Sequence, residues 1–109
     1  SGDIVALNMV ARTLQGATPV ETHLVRNAVA VHLFRSAEDG LLACAWFFGD
    51  GQGIGTEMPV AVGRAADIYG NPIAARRMTI DSRPVYLFPD GDETDDSFAA
   101  SIRAWKDTL

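Results

Sequence analysis

The spacing of apolar residues along the chain changes twice. Near the N-terminus it follows one face of a helix, in the middle it alternates as in strands, and near the C-terminus helical spacing returns. This pattern predicts a helix over residues 3–15 and another over residues 97–109. The first helix has an apolar stripe of Ile4, Leu7, Val10, Ala11 and Leu14. It is therefore expected to cover a face or edge of the sheet, or to be the tail of a preceding domain.

The middle of the chain alternates between turn signals and short apolar runs, which predicts antiparallel strands. They are expected over residues 28–35, 41–48, 58–62, 65–69, 73–80 and 84–88, with a weaker candidate over residues 20–26. The tetrapeptide Tyr69-Gly70-Asn71-Pro72 favours a tight turn. The runs on either side of this turn are expected to form consecutive antiparallel strands.

The most apolar run, residues 41–48, offers two faces to the core. One consists of Leu42, Cys44, Trp46 and Phe48, and the other of Leu41, Ala43, Ala45 and Phe47. The larger aromatic side chains favour the first face, so Trp46 is expected to be mostly buried. Cys44 is the single cysteine, which excludes an intramolecular disulfide and predicts a small buried hydrophobe.

These elements predict a mainly β fold. The expected architecture is an antiparallel β-sandwich of about six to eight strands with a flanking helix at each terminus. A length of 109 residues fits one domain. Residues 1–16 are expected to form a helix, residues 17–89 the sandwich, and residues 90–109 an acidic linker and an amphipathic helix. Ser97 or Asp96 is expected to cap this last helix.

Composition restricts the partners. The net charge is −5, and acidic residues concentrate in residues 90–96. An acidic domain without a basic stripe argues against nucleic acid and against an anionic membrane surface. No apolar run approaches the ~20 residues of a membrane span. The sequence does not indicate a compartment.

Chemical motifs are missing from the sequence. It contains no G-x-S-x-G, H-E-x-x-H or C-x-x-C, and the spacing of His23 and His32 does not suggest a metal set. No catalytic residue, metal site or cofactor is therefore predicted.

Three residues are kept as candidates for carbohydrate contact. Residues 49–55, GDGQGIG, predict a flexible surface loop, with a sugar- or calcium-contacting loop as the alternative. Asp50 and Glu57 are the acids near this loop. Trp105 could serve as a stacking platform, although its spacing with Phe98 and Ile102 favours packing on the sandwich.

Three segments carry a family resemblance. Phe34 followed by LACAW at residues 42–46 resembles the pattern F…vlalW, and ADIYGNP at residues 66–72 resembles v.DlyGnp. SRPVYL at residues 82–87 resembles l..sPvYl. In this order they resemble the C-terminal β-sandwich that follows the catalytic (β/α)8 barrel in several glycoside hydrolase families of the retaining barrel clan. The N-terminal segment is similar to the linker between barrel and sandwich.

The resemblance implies a non-catalytic accessory domain that braces a catalytic barrel and rims its substrate cleft. The catalytic glutamates of such enzymes lie on the barrel, so none is assigned in this chain. A carbohydrate-binding module is the alternative, and it would need exposed aromatic rings. A small stand-alone enzyme of unknown class is the third hypothesis. The expected partners are the barrel and, in the second case, carbohydrate.

Overall fold

A computed structural model describes residues 17–36 and 40–109, so the helix predicted over residues 3–15 lies outside the described residues. The described part forms strands β1 (Thr18–Val25), β2 (Val29–Ser36), β3 (Gly40–Phe47), β4 (Ile54–Glu57), β5 (Val62–Ala66), β6 (Arg77–Ile80) and β7 (Val85–Pro89), followed by helix α1 (Asp95–Lys106). The prediction of a mainly β fold with a C-terminal helix is confirmed.

The described strands form two antiparallel sheets. The larger has the order β1-β2-β3-β7-β5, and the smaller consists of β4 and β6. β1, β2 and β3 are successive antiparallel neighbours. β7, the last strand in the sequence, also pairs with β3. The result resembles a sandwich in which the small sheet and α1 pack on one face of the large sheet.

Three predicted strands differ from the observed ones. The strand predicted over residues 65–69 is shifted, because β5 runs from Val62 to Ala66 and residues 67–69 belong to the turn. Residues 58–61 form a loop, and only Arg77–Ile80 of the predicted strand 73–80 is extended in a sheet. The flanks of the Tyr69–Pro72 turn pair only briefly, through an antiparallel bridge between Ala66 and Pro72 and the bond from Ile73 N–H to the Ala65 carbonyl at 2.9 Å. The longer pairings join β5 to β7 and β6 to β4. β4 itself begins at Ile54, inside the segment that its glycines predict to be a loop.

The side chain of Arg76 holds the loop formed by residues 58–61. Its guanidinium donates hydrogen bonds to the carbonyl oxygens of Val62 (2.7 Å) and Pro59 (2.8 Å). These bonds satisfy two backbone acceptors outside a sheet. The backbone N–H of Met58 donates to the carbonyl of Arg76 at 2.7 Å and extends the β4–β6 pairing by one position.

The main core lies between the large sheet and α1. Along β3 it uses Leu41, Ala43, Ala45 and Phe47. The face predicted for the core, Leu42, Cys44, Trp46 and Phe48, lies on the other side of the sheet and packs in two smaller apolar clusters. The physical reason is size, because Ala43 and Ala45 leave room for the bulky side chains of α1. Those side chains are Phe98, Ile102 and Trp105, of which the first two are fully buried.

The opposite face of the large sheet is also apolar. Trp46 lies on this face and is only 6% exposed, which confirms that it is mostly buried. It packs with Ala30 and Phe48, and its ring centroid lies 5.3 Å from that of Phe48. A second cluster on this face consists of Leu42, Cys44 and Tyr86 with Phe34, Ile68 and Phe88.

Helix α1 begins at a different cap from the predicted ones. Thr94 is the N-cap, and its hydroxyl accepts the backbone N–H of Ser97, whose own hydroxyl accepts the N–H of Thr94. Asp95 and Asp96 therefore lie in the first turn, where carboxylates stabilise the helix dipole. Asp95 also pairs with Arg35 of β2 at 2.6 Å, which ties the acidic segment to the sheet.

Candidate functional site

Two of the three residues predicted for carbohydrate contact lie together. The indole Nε1 of Trp105 donates to the carbonyl oxygen of Glu57 at 3.0 Å and to the hydroxyl of Thr56 at 3.1 Å. Trp105 is only 6% exposed and belongs to the main core. Its ring is used for packing, and neither ring face is open to a sugar.

The acids of this region are more accessible. Glu57 is exposed on β4 and meets Trp105 through its backbone rather than its carboxylate. Asp50 is exposed in the bend that follows β3. The structure thus places Asp50 and Glu57 on the surface at the two ends of the glycine-rich segment, with Trp105 beneath β4.

Glu21 is the most strongly perturbed carboxylate of the described residues. Hydrogen bonds from Arg103 and then from His23 lower its pKa to about 2. Arg103 Nε lies 3.1 Å from both carboxylate oxygens, and His23 Nε2 lies 2.7 Å from Oε2. Glu21 therefore stays ionised at neutral pH and links β1 to α1. A carboxylate in this state is a poor general acid.

His32 is held at both ring nitrogens. Trp46 Nε1 lies 3.4 Å from His32 Nε2, and Thr22 Oγ1 lies 3.0 Å from His32 Nδ1. An indole N–H only donates, so Nε2 accepts and the proton of the neutral ring resides on Nδ1. Burial lowers the pKa of His32, which favours the same neutral form. The ring is a satisfied structural histidine, as expected from its place on an apolar strand.

His32 predicts a pH dependence of stability. Because its folded pKa lies below the ordinary value of 6.5, its contribution is fully present above about pH 6.5 and is lost as the pH falls towards the folded pKa. His32→Gln retains a donor and an acceptor without titrating in this range. We expect urea unfolding to show a smaller loss of stability below pH 6.5 in this variant than in the wild type. Equal slopes would contradict the assignment.

Cys44 is chemically protected. It is fully buried in the cluster that contains Leu42 and Tyr86, and burial raises the pKa of its thiol. The thiolate is the reactive form of cysteine, so a thiol in this position is a poor nucleophile. This agrees with the prediction of a small buried hydrophobe.

The turn that follows β5 is organised by Asp67. Its Oδ1 accepts the backbone N–H groups of Tyr69 (2.8 Å) and Asn71 (2.9 Å). The backbone N–H and carbonyl of Asp67 bond to Asn71 and Gly70. Gly70 adopts φ 82°, so it supplies the left-handed residue of the turn. Partial burial raises the pKa of Asp67, but the hydrogen bonds from Asn71 and Tyr69 outweigh it and lower the pKa overall.

This turn forms one wall of a small cleft. Tyr69 projects from it with 78% of its surface exposed. The cleft has a volume of about 230 Å³ and contains the polar residues Asp67, Asp81 and Arg83. Its apolar lining includes Ile73 and Val85. The turn is predicted from the sequence, but Tyr69 is not among the residues predicted for ligand contact. The sequence signal for it is an aromatic residue in a turn, between Asp67 and Gly70, where side chains do not reach the core.

The described residues contain neither a metal-ligand cluster nor a membrane-spanning helix. Within residues 17–36 and 40–109, no group of three or more His, Cys, Asp and Glu side chains is arranged to hold a metal ion. The helix of this part of the chain is neither long nor apolar enough to cross a membrane.

Comparison with known proteins gives no guide to the family. No protein-family model, no curated protein and no solved structure matches the chain.

Proposed function

We propose that the chain is a non-catalytic β-sandwich accessory domain of a larger glycoside hydrolase, in which it braces the catalytic (β/α)8 barrel. The proposal starts from the resemblance of three short segments. These segments are separated along the chain: Phe34 with LACAW at residues 42–46, ADIYGNP at residues 66–72, and SRPVYL at residues 82–87.

One observation supports treating these segments as a unit. A single apolar cluster contains Leu42, Cys44 and Tyr86, packed with Phe34, Ile68 and Phe88. Each of the three segments therefore contributes to the same cluster, on the face of the large sheet opposite α1. The fold therefore brings the three separated segments into contact, which supports considering them together.

The arrangement of titratable groups favours a structural role over catalysis. Glu21 is ionised in a network with Arg103 and His23, and His32 is bonded at both ring nitrogens. Asp67 uses its carboxylate to hold a turn. A retaining glycosidase needs two carboxyl groups about 5–5.5 Å apart, one of them with a raised pKa.

The isolated chain is expected to show no turnover of chromogenic aryl glycosides. The two acids predicted from the sequence for carbohydrate contact, Asp50 and Glu57, are exposed, whereas a retaining glycosidase needs a close carboxyl pair in a shielded site. The assay should compare the wild type with Asp50→Asn and Glu57→Gln. Turnover that either substitution abolishes would contradict the proposal and favour a stand-alone enzyme.

The bracing role is tested in the natural reading frame. We expect it to encode a (β/α)8 barrel directly upstream of residue 1. Removing the present domain from that protein should lower its thermal stability but leave the pH profile of the remaining activity unchanged, because the acid/base and nucleophile would lie on the barrel. Absence of a barrel from the reading frame would overturn the proposal. So would an unchanged thermal stability of the protein after removal of the present domain.

A carbohydrate-binding module remains the second candidate function. It is favoured by one specific observation, the exposed ring of Tyr69 beside a polar cleft.

A further inference from the structure

Tyr69 differs from every other aromatic residue of the chain. The sequence contains nine Phe, Tyr and Trp residues, and all of them lie within the described part. Eight are buried or half-buried, whereas Tyr69 is 78% exposed. Single exposed hydrophobic residues are common on protein surfaces. Tyr69 is notable because its exposed ring also lines the cleft that contains Asp81 and Arg83.

The backbone beneath Tyr69 is well fixed. Its N–H is bonded to the Asp67 carboxylate, and the turn closes through the bond from Gly70 N–H to the Asp67 carbonyl at 3.0 Å. The N–H of Asp67 in turn donates to the carbonyl of Asn71 at 3.0 Å. The backbone that carries the ring therefore needs little further ordering when a ligand stacks on Tyr69, which lowers the entropic cost of binding.

Asp81 and Arg83 supply directed hydrogen-bonding groups in the same cleft. Arg83 Nη2 lies 3.1 Å from Asp81 Oδ2, and the Arg83 N–H donates to Asp81 Oδ1 at 2.8 Å. A carboxylate has about four acceptor positions and a guanidinium five donors. Both groups therefore keep unused capacity after pairing with each other. The Arg83 side chain is 79% exposed and accessible to a ligand.

We propose that this cleft binds a neutral sugar, with the Tyr69 ring stacked on one face of the sugar and the Asp81–Arg83 pair hydrogen-bonded to its hydroxyl groups. This inference uses only the described residues and does not depend on the presence of an upstream barrel.

The chemistry of the cleft selects this class of ligand. Sugar rings present C–H groups on their faces, which pack on an aromatic ring, and hydroxyl groups at their edges, which both donate and accept. Asp67 and Asp81 disfavour an anion, and a proline-rich peptide would need a groove lined by several aromatic rings. The volume of about 230 Å³ lies below the ~300–1,000 Å³ of typical ligand pockets, so we expect one sugar ring to be held.

Titration with defined oligosaccharides tests the proposal. Cellopentaose, xylopentaose, mannopentaose and laminaripentaose would be added to the ¹⁵N-labelled chain at up to about 10 mM, which detects even millimolar affinity. We expect at least one of them to give saturable shifts confined to the amides of residues 67–71 and 81–83. Tyr69→Ala should weaken that binding about tenfold or more, since truncating an aromatic anchor has large effects.

Three variants separate stacking from general surface effects. Tyr69→Phe keeps the ring and should bind within about threefold of the wild type, whereas Arg83→Ala should weaken binding. Leu24→Ala is the matched control, because Leu24 is also exposed (64%) but lies on β1 outside the cleft. It should bind as the wild type does. Absence of saturable shifts with all four sugars, or binding unaffected by Tyr69→Ala, would overturn the proposal. Neither result would alter the outcome of the glycoside assay or of the reading-frame test.

Discussion

Replacing Trp105 with alanine is expected to destabilise the protein by about 3–5 kcal/mol, as large-to-small substitutions of buried aromatic residues do. Trp105 is 6% exposed and lies in the main core with Phe98 and Ile102. Its loss would open a cavity between α1 and the sheets. It would also remove the donor that bonds Thr56 and the Glu57 carbonyl, leaving polar groups of β4 to find other partners.

Urea unfolding of Trp105→Ala and Trp105→Phe distinguishes these contributions. Phenylalanine fills much of the space but cannot donate, so this variant should lose about 1–3 kcal/mol. We expect Trp105→Ala to be less stable than Trp105→Phe, and Trp105→Phe to be less stable than the wild type. Wild-type stability of Trp105→Ala would show that α1 is not packed on the sheets through this ring, and would restore Trp105 as a candidate for ligand contact.

Gly53→Ala is expected to be similarly damaging, although it adds only one methyl group. Gly53 has φ 103°, a conformation that L-residues rarely adopt, and a Cβ at this position would overlap the carbonyl oxygen of Ile80. Ile80 pairs with Ile54 in the small sheet, so the backbone at this point has little room to shift. We expect a loss of about 3 kcal/mol or more from the positive φ and the overlap together.

Gly51 provides a matched control for this prediction. Its φ is 104°, nearly equal to that of Gly53, but a Cβ there would meet nothing within 4 Å. Gly51→Ala should therefore carry only the conformational cost, about 1–3 kcal/mol. The difference between the unfolding midpoints of Gly53→Ala and Gly51→Ala, in heat or in urea, measures the effect of the overlap with Ile80. Equal losses would contradict the close approach of the two backbones.

The elements predicted well are those with local signals. Strands β2 and β3 are nearly continuous apolar runs, and β3 begins at Gly40, whose φ is 70°. The helical stripe of Phe98, Ile102 and Trp105 is likewise contained within one element. In these cases the period of the side chains and the turn residue lie within a few positions of each other, so no knowledge of tertiary partners is needed.

The choice of core face could not be made in this way. Both sets of side chains along residues 41–48 are apolar, and both are buried except for the half-buried Phe48. Which set meets α1 depends on the fit between Ala43, Ala45 and the helix, and this fit is not encoded within the strand itself. The turn between β1 and β2 also lacks a clear local signal in the sequence. Arg26 and Asn27 both have positive φ at its turn, without the glycine that normally marks such a turn.

None of the three residues predicted from the sequence for carbohydrate contact, Asp50, Glu57 and Trp105, lines the cleft beside Tyr69. The role of Asp67 as an acceptor of backbone N–H groups follows from its residue type and its position before a glycine. The neighbourhood of Asp81 and Arg83 does not, because β6 pairs with β4 instead of with β5. This non-consecutive pairing determines which residues line the cleft beside Tyr69.

The outer strands of the large sheet affect how separate copies of the domain meet. In the described sheet these are β1 and β5, and each contains a break in register, at Pro19–Glu21 in β1 and at Val62–Arg64 in β5. Pro19 lacks an N–H, and Arg64 places a charge over the Phe88 ring at 3.8 Å. Strands of this kind are poor templates for adding a strand from another molecule. The described sheet is thereby protected from ordered aggregation at its margins.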